Sequence, residues 1–382
     1  MVNLSPLSGC VPENWKTAVV IPLLQKPGLD LVYKNFRPIS NLPFISKVVE
    51  KAALQQLLIH CEKNVPLPKC QSGFHKYHST ETALLKVQNN ILMSKDNTEV
   101  TLLVLLNLSA AFDTTEHSIL LNILQRDVGV SGTALNWFDS FLSGCKQRIL
   151  VGDKTSDDFS LNCGVSQGSC KGPVLFSLYI FRLFNIISPH LPSVHGYADD
   201  TQIYLSFRPC SIHSEINAVS DWKVHCWCLL LVYWKSSNDH DAKTDFQIIG
   251  TRQQLDKTSI ESIIIGDTVI KPLESVRNLG SWFDAHTCMR MNVHIGEICS
   301  GAFCGLYNIR QIRKFFTVQS TKTLIHALVS SHLDYCNALL FGLPKYQLDR
   351  LHKVQNVVAR VIFQIASLII SHPLSSTYIG FQ

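Results

Sequence analysis

Hydrophobic and polar positions follow two kinds of pattern along the chain, and these patterns predict its elements. Continuous apolar runs are typical of strands buried on both faces, whereas apolar residues three and four positions apart indicate helices. Strands are predicted at 17–22, 101–106, 148–152 and, as a hairpin, 193–207. Helices are predicted at 46–60, from 80 onward, at 115–125, 174–187 and 348–362, and a turn at 35–40. Beyond about residue 285 the pattern becomes helical, so the sequence predicts an α+β fold with a helical C-terminal part.

Composition excludes several classes of protein. The chain has 382 residues, 46% of them hydrophobic, and a mean hydropathy of +0.13, which is too apolar for a disordered protein. Only 16% of residues are charged, so we expect poor solubility alone or a place in a larger protein. The net charge of +5 permits a polyanionic partner without requiring one.

Targeting and cysteine patterns narrow the setting further. The longest unbroken apolar run, 226–234, is far shorter than the roughly 18 residues of a membrane span, so no membrane partner is expected. The first residues lack the basic and apolar regions of a signal peptide, which predicts an intracellular protein that is not secreted. The 13 cysteines include no Cys-x-x-Cys pair, which predicts reduced thiols and no zinc site. No pattern specifies an oligomeric state.

Two adjacent carboxylates lie at the bend of the predicted 193–207 hairpin. Asp199 and Asp200 are bracketed by apolar strand residues, so both are expected to project from one fixed tip. Adjacent aspartates in turns often only cap backbone N–H groups. Carboxylate oxygens are also the ligands that Mg²⁺ prefers, and Mg²⁺ can organise phosphoryl transfer. Both interpretations are open on these residues alone.

The bend and its neighbours resemble a known family. YADD at 197–200 resembles the Tyr-x-Asp-Asp box of reverse transcriptases, most closely the non-LTR (LINE-type, jockey-like) retrotransposon enzymes. Further segments resemble that family in order along the chain: NFRPIS at 35–40, QSGF at 71–74, HSTETA at 78–83, LNLSAAFD at 106–113, GVSQGS at 164–169, DAKT at 241–244, NLG at 278–280 and GLP at 342–344. The resemblance implies a polymerase right hand with fingers at 1–100, an antiparallel-sheet palm at 101–284 and a helical thumb at 285–382.

The same resemblance implies an activity, a metal and partners. The activity is RNA-directed DNA polymerisation, in which dNTPs are added to a primer 3′-hydroxyl on an RNA template with two Mg²⁺ ions, or Mn²⁺. Asp199 and Asp200 match the metal ligands of the family's third motif. A third ligand, an aspartate, is expected at position 107, where this chain has Asn107.

Other family roles fall on positions that also have ordinary structural explanations. Phe112 matches the residue that excludes a 2′-hydroxyl, and a core phenylalanine is the alternative. Gln167 and Gly168 match the loop that approaches the base pair, although glycine is equally common in plain turns. Lys243 matches the acid for the leaving pyrophosphate, or is a solvated lysine. Arg37 contacts template phosphate or pairs with a carboxylate in the structure.

Basic residues and departures from the family complete the candidate set. His75 stands where the family has a phosphate-binding arginine, and a neutral imidazole is a poorer partner for triphosphate. Arg310, Arg313 and Lys314 form a basic cluster that would follow a nucleic-acid backbone or be merely exposed.

The residue at position 107 determines how much activity the sequence predicts. Asparagine keeps one carbonyl acceptor but loses the negative charge that holds two cations together. Its presence predicts a loss of several kcal/mol of transition-state stabilisation. Three interpretations follow: a polymerase with impaired activity, a non-catalytic nucleic-acid-binding remnant, and a translated pseudogene product that does not fold stably.

Overall fold

The structure is a computed structural model of the chain, and contacts divide it into two compact units. The first unit comprises Met1–His78, Leu106–Thr201 and His225–Lys243, and the second comprises Ser79–Leu105, Gln202–Val224 and Thr244–Gln382. For Asn107 the structure describes the backbone alone. The described residues are 4–26, 28–64, 70–73, 76–107, 115–165, 168–169, 172–180, 193–198, 200–209, 244–258, 260–265, 268–285 and 291–364.

Strands and helices alternate through most of the chain before helices take over. The strands are β1 Thr17–Leu24, β2 Phe36–Asn41, β3 Val100–Asn107, β4 Lys146–Val151, β5 Lys154–Thr155, β6 Phe159–Ser160, β7 Val194–Tyr197, β8 Asp200–Phe207, β9 Thr244–Ile249, β10 Ile263–Ile265, β11 Thr268–Ile270, β12 Ser275–Asn278 and β13 Ser281–Asp284. The α-helices are α1 Leu4–Ser8, α2 Phe44–Asn64, α3 Thr80–Asp96, α4 His117–Arg126, α5 Gly132–Leu142, α6 Gly172–Tyr179, α7 Arg252–Leu255, α8 Asn292–Ile312, α9 Val318–Ile325, α10 Ser331–Asp334 and α11 Lys345–Phe363. This order confirms the predicted α+β class with a helical C-terminal part.

Most predicted elements are confirmed. The strands predicted at 17–22, 101–106, 148–152 and 193–207 are β1, β3, β4 and the pair β7 and β8. The predicted helices at 46–60, 80 onward, 115–125 and 348–362 are α2, α3, α4 and α11. The helix predicted at 174–187 is confirmed as far as Tyr179, where α6 ends, and residues 181–187 lie outside the described residues.

The turn predicted at 35–40 is wrong. Residues from Phe36 onward form β2, which pairs antiparallel with β1 so that Pro38 lies opposite Pro22. The sheet has the order β2-β1-β4-β5, with β6 also paired to β4, so β2 is an edge strand. An edge strand tolerates a proline because the missing N–H can face away from the ladder. Pro38 therefore lies in an edge strand here, not in a turn.

The second unit is built around a large apolar core. β8, β3 and β9 are neighbours in that order, and Leu102, Leu103 and Val104 of β3 are completely buried. α3 packs Leu84, Val87 and Ile91 into the same core as α8 and α11. Ser79 caps α3 by accepting from the Thr82 N–H, as expected for a serine before a helix. Within the described ranges, no helix is both long and apolar enough to cross a membrane.

The basic cluster predicted at 310–314 is corrected at Arg313. This residue is only 8% exposed, and its guanidinium donates to the carbonyls of Val361, Ile362 and Phe316 at 3.0, 2.8 and 2.7 Å. Val361 and Ile362 belong to the last turn of α11, whose carbonyls lack helical partners. Arg313 therefore has a structural role, whereas Arg310 and Lys314 remain exposed.

Candidate active site

The acidic bend lies between two strands of the predicted hairpin. β7 ends at Tyr197, Ala198 follows in the left-handed conformation with φ 56°, and β8 begins at Asp200. A non-glycine residue at positive φ is uncommon and costs about 1–2 kcal/mol. Such a conformation persists only where the surroundings enforce it. Asp200 is half-buried, and Asp199 lies outside the described residues.

One side-chain contact between neighbouring strands relates position 107 to this bend. β3 and β8 are hydrogen-bonded neighbours of eight residues each. The Thr101 and Ser206 hydroxyls lie 3.0 Å apart, which joins the start of β3 to the end of β8. From this contact we infer antiparallel pairing of β3 and β8, which would bring Asn107, the last residue of β3, level with Asp200, the first of β8.

The 70–73 segment pairs with β7 along its backbone. Gln71 forms a parallel bridge with Gly196. The Ser72 N–H donates to the Gly196 carbonyl at 2.8 Å, and the Gly196 N–H donates to the Cys70 carbonyl at 2.7 Å. This part of the QSGF motif therefore forms an isolated β-bridge with β7, the strand that precedes the acidic bend.

Side chains of the same segment reach the bend itself. The Gln71 amide donates to the Ala198 carbonyl at 3.5 Å and accepts from the Gly73 N–H at 3.0 Å. The Ser72 hydroxyl and His195 Nε2 lie 2.9 Å apart in a buried hydrogen bond. A Cβ on Gly73 would lie 2.2 Å from the Ala198 nitrogen, so only glycine fits there. Sequence reasoning missed Ser72 and His195 as a pair because 122 residues separate them.

A buried carboxylate holds the GVSQGS loop. Glu50 of α2 is 1% exposed and accepts from the Ser169 hydroxyl at 2.7 Å and from the Ser46 hydroxyl at 3.3 Å. Gly168 has φ 128°, and a Cβ there would lie 2.3 Å from the Ser40 carbonyl oxygen. The backbone at Gly168 is thus packed tightly against Ser40. Glu50 was not among the predicted site residues; a glutamate in an apolar helix was the only signal for it.

The remaining predicted site residues are placed only in part. Arg37 is exposed on β2, opposite Leu23 of β1. His75, Phe112, Gln167 and Lys243 lie outside the described residues, so their roles stay predictions.

The NLG motif forms a second tight hairpin in the second unit. β12 and β13 pair antiparallel with Asn278 opposite Ser281, and Leu279 and Gly280 form the bend. The Gln202 amide of β8 donates to the Asn278 side-chain carbonyl at 2.8 Å, with both residues buried. His294 accepts from the Trp282 N–H at 3.4 Å, and burial lowers the pKa of its imidazole to about 4. His294 is therefore neutral at pH 7.

Comparison with known proteins identifies the class. The sequence matches the family described as reverse transcriptase (RNA-dependent DNA polymerase) over residues 24–227, just over half of the chain. The chain belongs to the reverse transcriptase family, and its α+β architecture is the polymerase right hand.

Similar proteins define the group within that family. The chain is 31% identical over 219 residues to the probable RNA-directed DNA polymerase from transposon X-element of Drosophila melanogaster, covering 55% of this chain and 23% of that protein. It is 28% identical to the RNA-directed DNA polymerase from mobile element jockey of the same organism, covering 51% and 22%. These relatives confirm the predicted resemblance to jockey-like, non-LTR retrotransposon enzymes. The chain spans less than a quarter of either relative.

A solved structure gives a weaker likeness. The structure described as apo telomerase from Candida Tropicalis truncated from C-terminal domain has 11% identity and a TM-score of 0.48, covering 72% of this chain and 55% of that chain. At that TM-score the likeness supports no conclusion about the fold or function of this chain.

Reverse transcriptases generally use divalent metals, so the oxygen atoms at the acidic bend are the candidate metal ligands. Among the described residues, no group of three or more His, Cys, Asp or Glu side chains could hold an ion. The sequence supplies two carboxylates at the bend, and the register adds an asparagine where β3 ends. This donor set is all oxygen and suits one hard cation. It has one negative charge fewer than three carboxylates would supply.

Proposed function

We propose that this chain is an RNA-directed DNA polymerase domain whose activity is impaired by Asn107. It adds dNTPs to the 3′-hydroxyl of a DNA primer on an RNA template. The observation that supports this proposal is the contact between Thr101 of β3 and Ser206 of β8, because antiparallel pairing about it would bring position 107 level with Asp200. The proposal retains the predicted subdomains: fingers at 1–100, palm at 101–284 and thumb at 285–382.

In this proposal Asp199 and Asp200 hold Mg²⁺ or Mn²⁺, and Asn107 supplies one neutral oxygen. The bound ions would supply charge neutralisation and Lewis acidity for phosphoryl transfer. A neutral ligand at 107 leaves repulsion between the two cations less well compensated than a carboxylate would. Occupancy of the second position should therefore be lowered most.

The other candidate residues act on the substrates in this proposal. Phe112 excludes a 2′-hydroxyl, and Lys243 protonates the leaving pyrophosphate. Gln167 and Gly168 pack against the nascent base pair, supported by the tight packing of the loop against Ser40. Arg37 and His75 contact phosphates of the template and the incoming nucleotide. The exposed position of Arg37 leaves its guanidinium available for such a contact.

Primer extension tests the proposal. The chain and its Asn107→Asp variant are compared on a primed RNA template with Mg²⁺ and with Mn²⁺. Restoring the carboxylate should raise the rate about a hundredfold or more, since removal of one preorganised electrostatic group typically costs that much. Asp200→Asn in the Asn107→Asp background is the matched control and should abolish the gain. A folded Asn107→Asp protein that makes no product with either metal would overturn the proposal.

Asn107 also favours a second candidate function, a non-catalytic protein that binds nucleic acid. Such a protein would bind an RNA–DNA hybrid without extending it. Binding across a salt series separates the two candidates from a non-functional product. Phosphate contacts give a steep decrease of log K with log salt, about 0.9 per neutralised phosphate. Absence of binding removes this candidate, and cooperative thermal unfolding contradicts the third interpretation of an unstable pseudogene product.

A further inference from the structure

The bend that carries the carboxylates follows a short strand and has a strained backbone. β7 is only four residues long and lies at the end of its strand order, and Ala198 is in the unfavourable left-handed conformation. A short edge strand with a strained bend is not expected to hold two adjacent carboxylates, which repel each other, in one geometry. Something else must hold it.

We infer that Gln71, Ser72 and His195 are positioning residues that hold the acidic bend in a geometry able to bind a cation. The inference rests on the proposed function, because the cation is that of the polymerase site. None of these residues is proposed to contact the metal or the substrate. They act on Asp199 and Asp200 through the backbone of β7 and Ala198.

Main-chain pairing holds β7 from its outer edge. The two hydrogen bonds between the 70–73 segment and Gly196 give β7 a partner on its outer edge. Gly196 lies two residues before Ala198, so this pairing fixes the direction in which the chain enters the bend. The Gln71 amide then bonds to the Ala198 carbonyl, directly at the strained residue.

A buried hydrogen bond between Ser72 and His195 adds to this main-chain pairing. Ser72 is 2% exposed and His195 is 1% exposed, so water does not compete for this 2.9 Å bond. Removing one partner of a buried hydrogen bond leaves the other poorly satisfied, which costs more than the bond itself contributes. The pair therefore locks the register between the 70–73 segment and β7.

This arrangement has a consequence for nucleotide binding. The chain continues from Gly73 directly into Phe74 and His75, the position predicted to contact the triphosphate. Because Gly73 is packed against the Ala198 nitrogen, the 70–73 segment and the acidic bend share one close backbone contact. Displacement of the 70–73 segment should therefore displace the carboxylates with it.

Mn²⁺ affinity, measured by EPR on the purified chain, tests the inference without requiring polymerase activity. Asp200→Asn identifies binding that depends on the bend. Ser72→Ala and His195→Phe should each weaken that binding about fivefold, and the double variant should be weakened no more than about twofold beyond either, since both remove one bond. Ser5→Ala is the matched control: Ser5 is 5% exposed and accepts from Trp137 Nε1 at 3.0 Å, outside the acidic bend.

Thermal unfolding separates positioning from plain stability. Ser72→Ala and Ser5→Ala should lower the melting temperature by similar amounts, while only Ser72→Ala changes Mn²⁺ affinity. If Ser72→Ala does not fold, Gln71→Met is measured instead and should weaken binding to a similar extent. Faster amide exchange at Gly196 and Ala198 in these variants is expected even without metal.

These measurements distinguish failure of the proposed metal site from failure of the positioning role. Mn²⁺ binding that Asp200→Asn leaves unchanged would contradict the proposed metal site, and amide exchange would then decide the positioning role alone. Binding that Asp200→Asn removes but Ser72→Ala and His195→Phe leave intact would overturn the inference and leave the proposed function standing.

Discussion

Two tight hairpins in this chain each have a bend with residues at positive φ, and different contacts support the two bends. In the β7–β8 hairpin, Ala198 has φ 56°, and a backbone-paired segment from 70–73 supports it. In the β12–β13 hairpin, Leu279 and Gly280 have φ 44° and 90°, and side chains support the bend. Tyr335 donates to the Leu279 carbonyl at 2.5 Å, and Gln202 donates to Asn278 at 2.8 Å.

Because the two hairpins are supported differently, we expect them to differ in the substitutions that they tolerate. Main-chain pairing depends on close approach of two backbones, so an added Cβ at the contact should be more harmful than loss of one polar group. Side-chain support is divided among several residues, so each loss should be moderate. The predictions below follow this contrast from the largest expected effect to the smallest.

Gly73→Ala should have the largest effect. The new Cβ would lie 2.2 Å from the Ala198 nitrogen, a backbone atom that cannot rotate away. We expect a loss of about 3 kcal/mol or more in the free energy of unfolding. Denaturant unfolding measures it.

Gly296→Ala provides the control for that substitution. A Cβ there would lie 3.5 Å from the nearest atom, Arg350 Nη2, inside helix α8. Alanine should stabilise the helix by up to about 1 kcal/mol. Equal effects of the two alanines would show that close backbone approach does not support the acidic bend.

Acid should weaken the support of the β12–β13 hairpin through His294. Burial lowers its pKa from 6.5 to about 4, so between these values the unfolded chain binds a proton that the folded chain does not. Stability from this group is complete above about pH 6.5, decreases as the pH falls toward 4, and decreases no further below it. The total loss is about 3 kcal/mol.

The free energy of unfolding measured across that pH range checks this prediction. His294→Gln retains a neutral polar side chain and should remove this part of the pH dependence. An unchanged slope in His294→Gln would show that other groups cause the acid sensitivity.

Gln202→Leu should cost about 2 kcal/mol, because it leaves the buried Asn278 side chain without its donor. Gln202 Oε1 and Asn278 Nδ2 already lack partners among the described residues. Replacing both residues by leucine should therefore recover most of the loss. Thermal unfolding of the single and double variants measures the coupling, and simple additivity would contradict it.

Tyr335→Phe should have the smallest effect, about 0.5–1 kcal/mol, because Tyr335 is 41% exposed and water can replace its bond to Leu279. Amide exchange around Leu279 should become faster. Tyr346→Phe, at another half-exposed tyrosine, is the control and should change neither measurement.

Local patterns in the sequence predicted the elements well where periodicity was strong. The apolar run of β3 and the spacing in α11 both identified elements that the structure contains. The prediction at 35–40 failed because prolines suit an edge strand as well as a turn, and only pairing with β1 distinguishes them. The assignment of Arg313 failed because its carbonyl partners Val361 and Ile362 lie 48 and 49 positions away.

The candidate site also combines residues that the sequence identified with contacts that only the structure revealed. The motifs located the acidic bend and position 107, because their residue types and spacing are local properties of the sequence. Ser72 with His195 and Glu50 with Ser169 carry no such signal, since each pair is more than a hundred residues apart. Contacts of that kind depend on how segments pack.

The sequence by itself determined the family of this protein, the identity of the residues at its acidic bend and the missing charge at Asn107. Only the tertiary structure decided that β3 and β8 are neighbours in one sheet, and that the 70–73 segment contacts the strained Ala198. The reason is physical: chemistry is carried by single residues, whereas geometry is enforced by hydrogen bonds and close contacts between residues far apart in the chain.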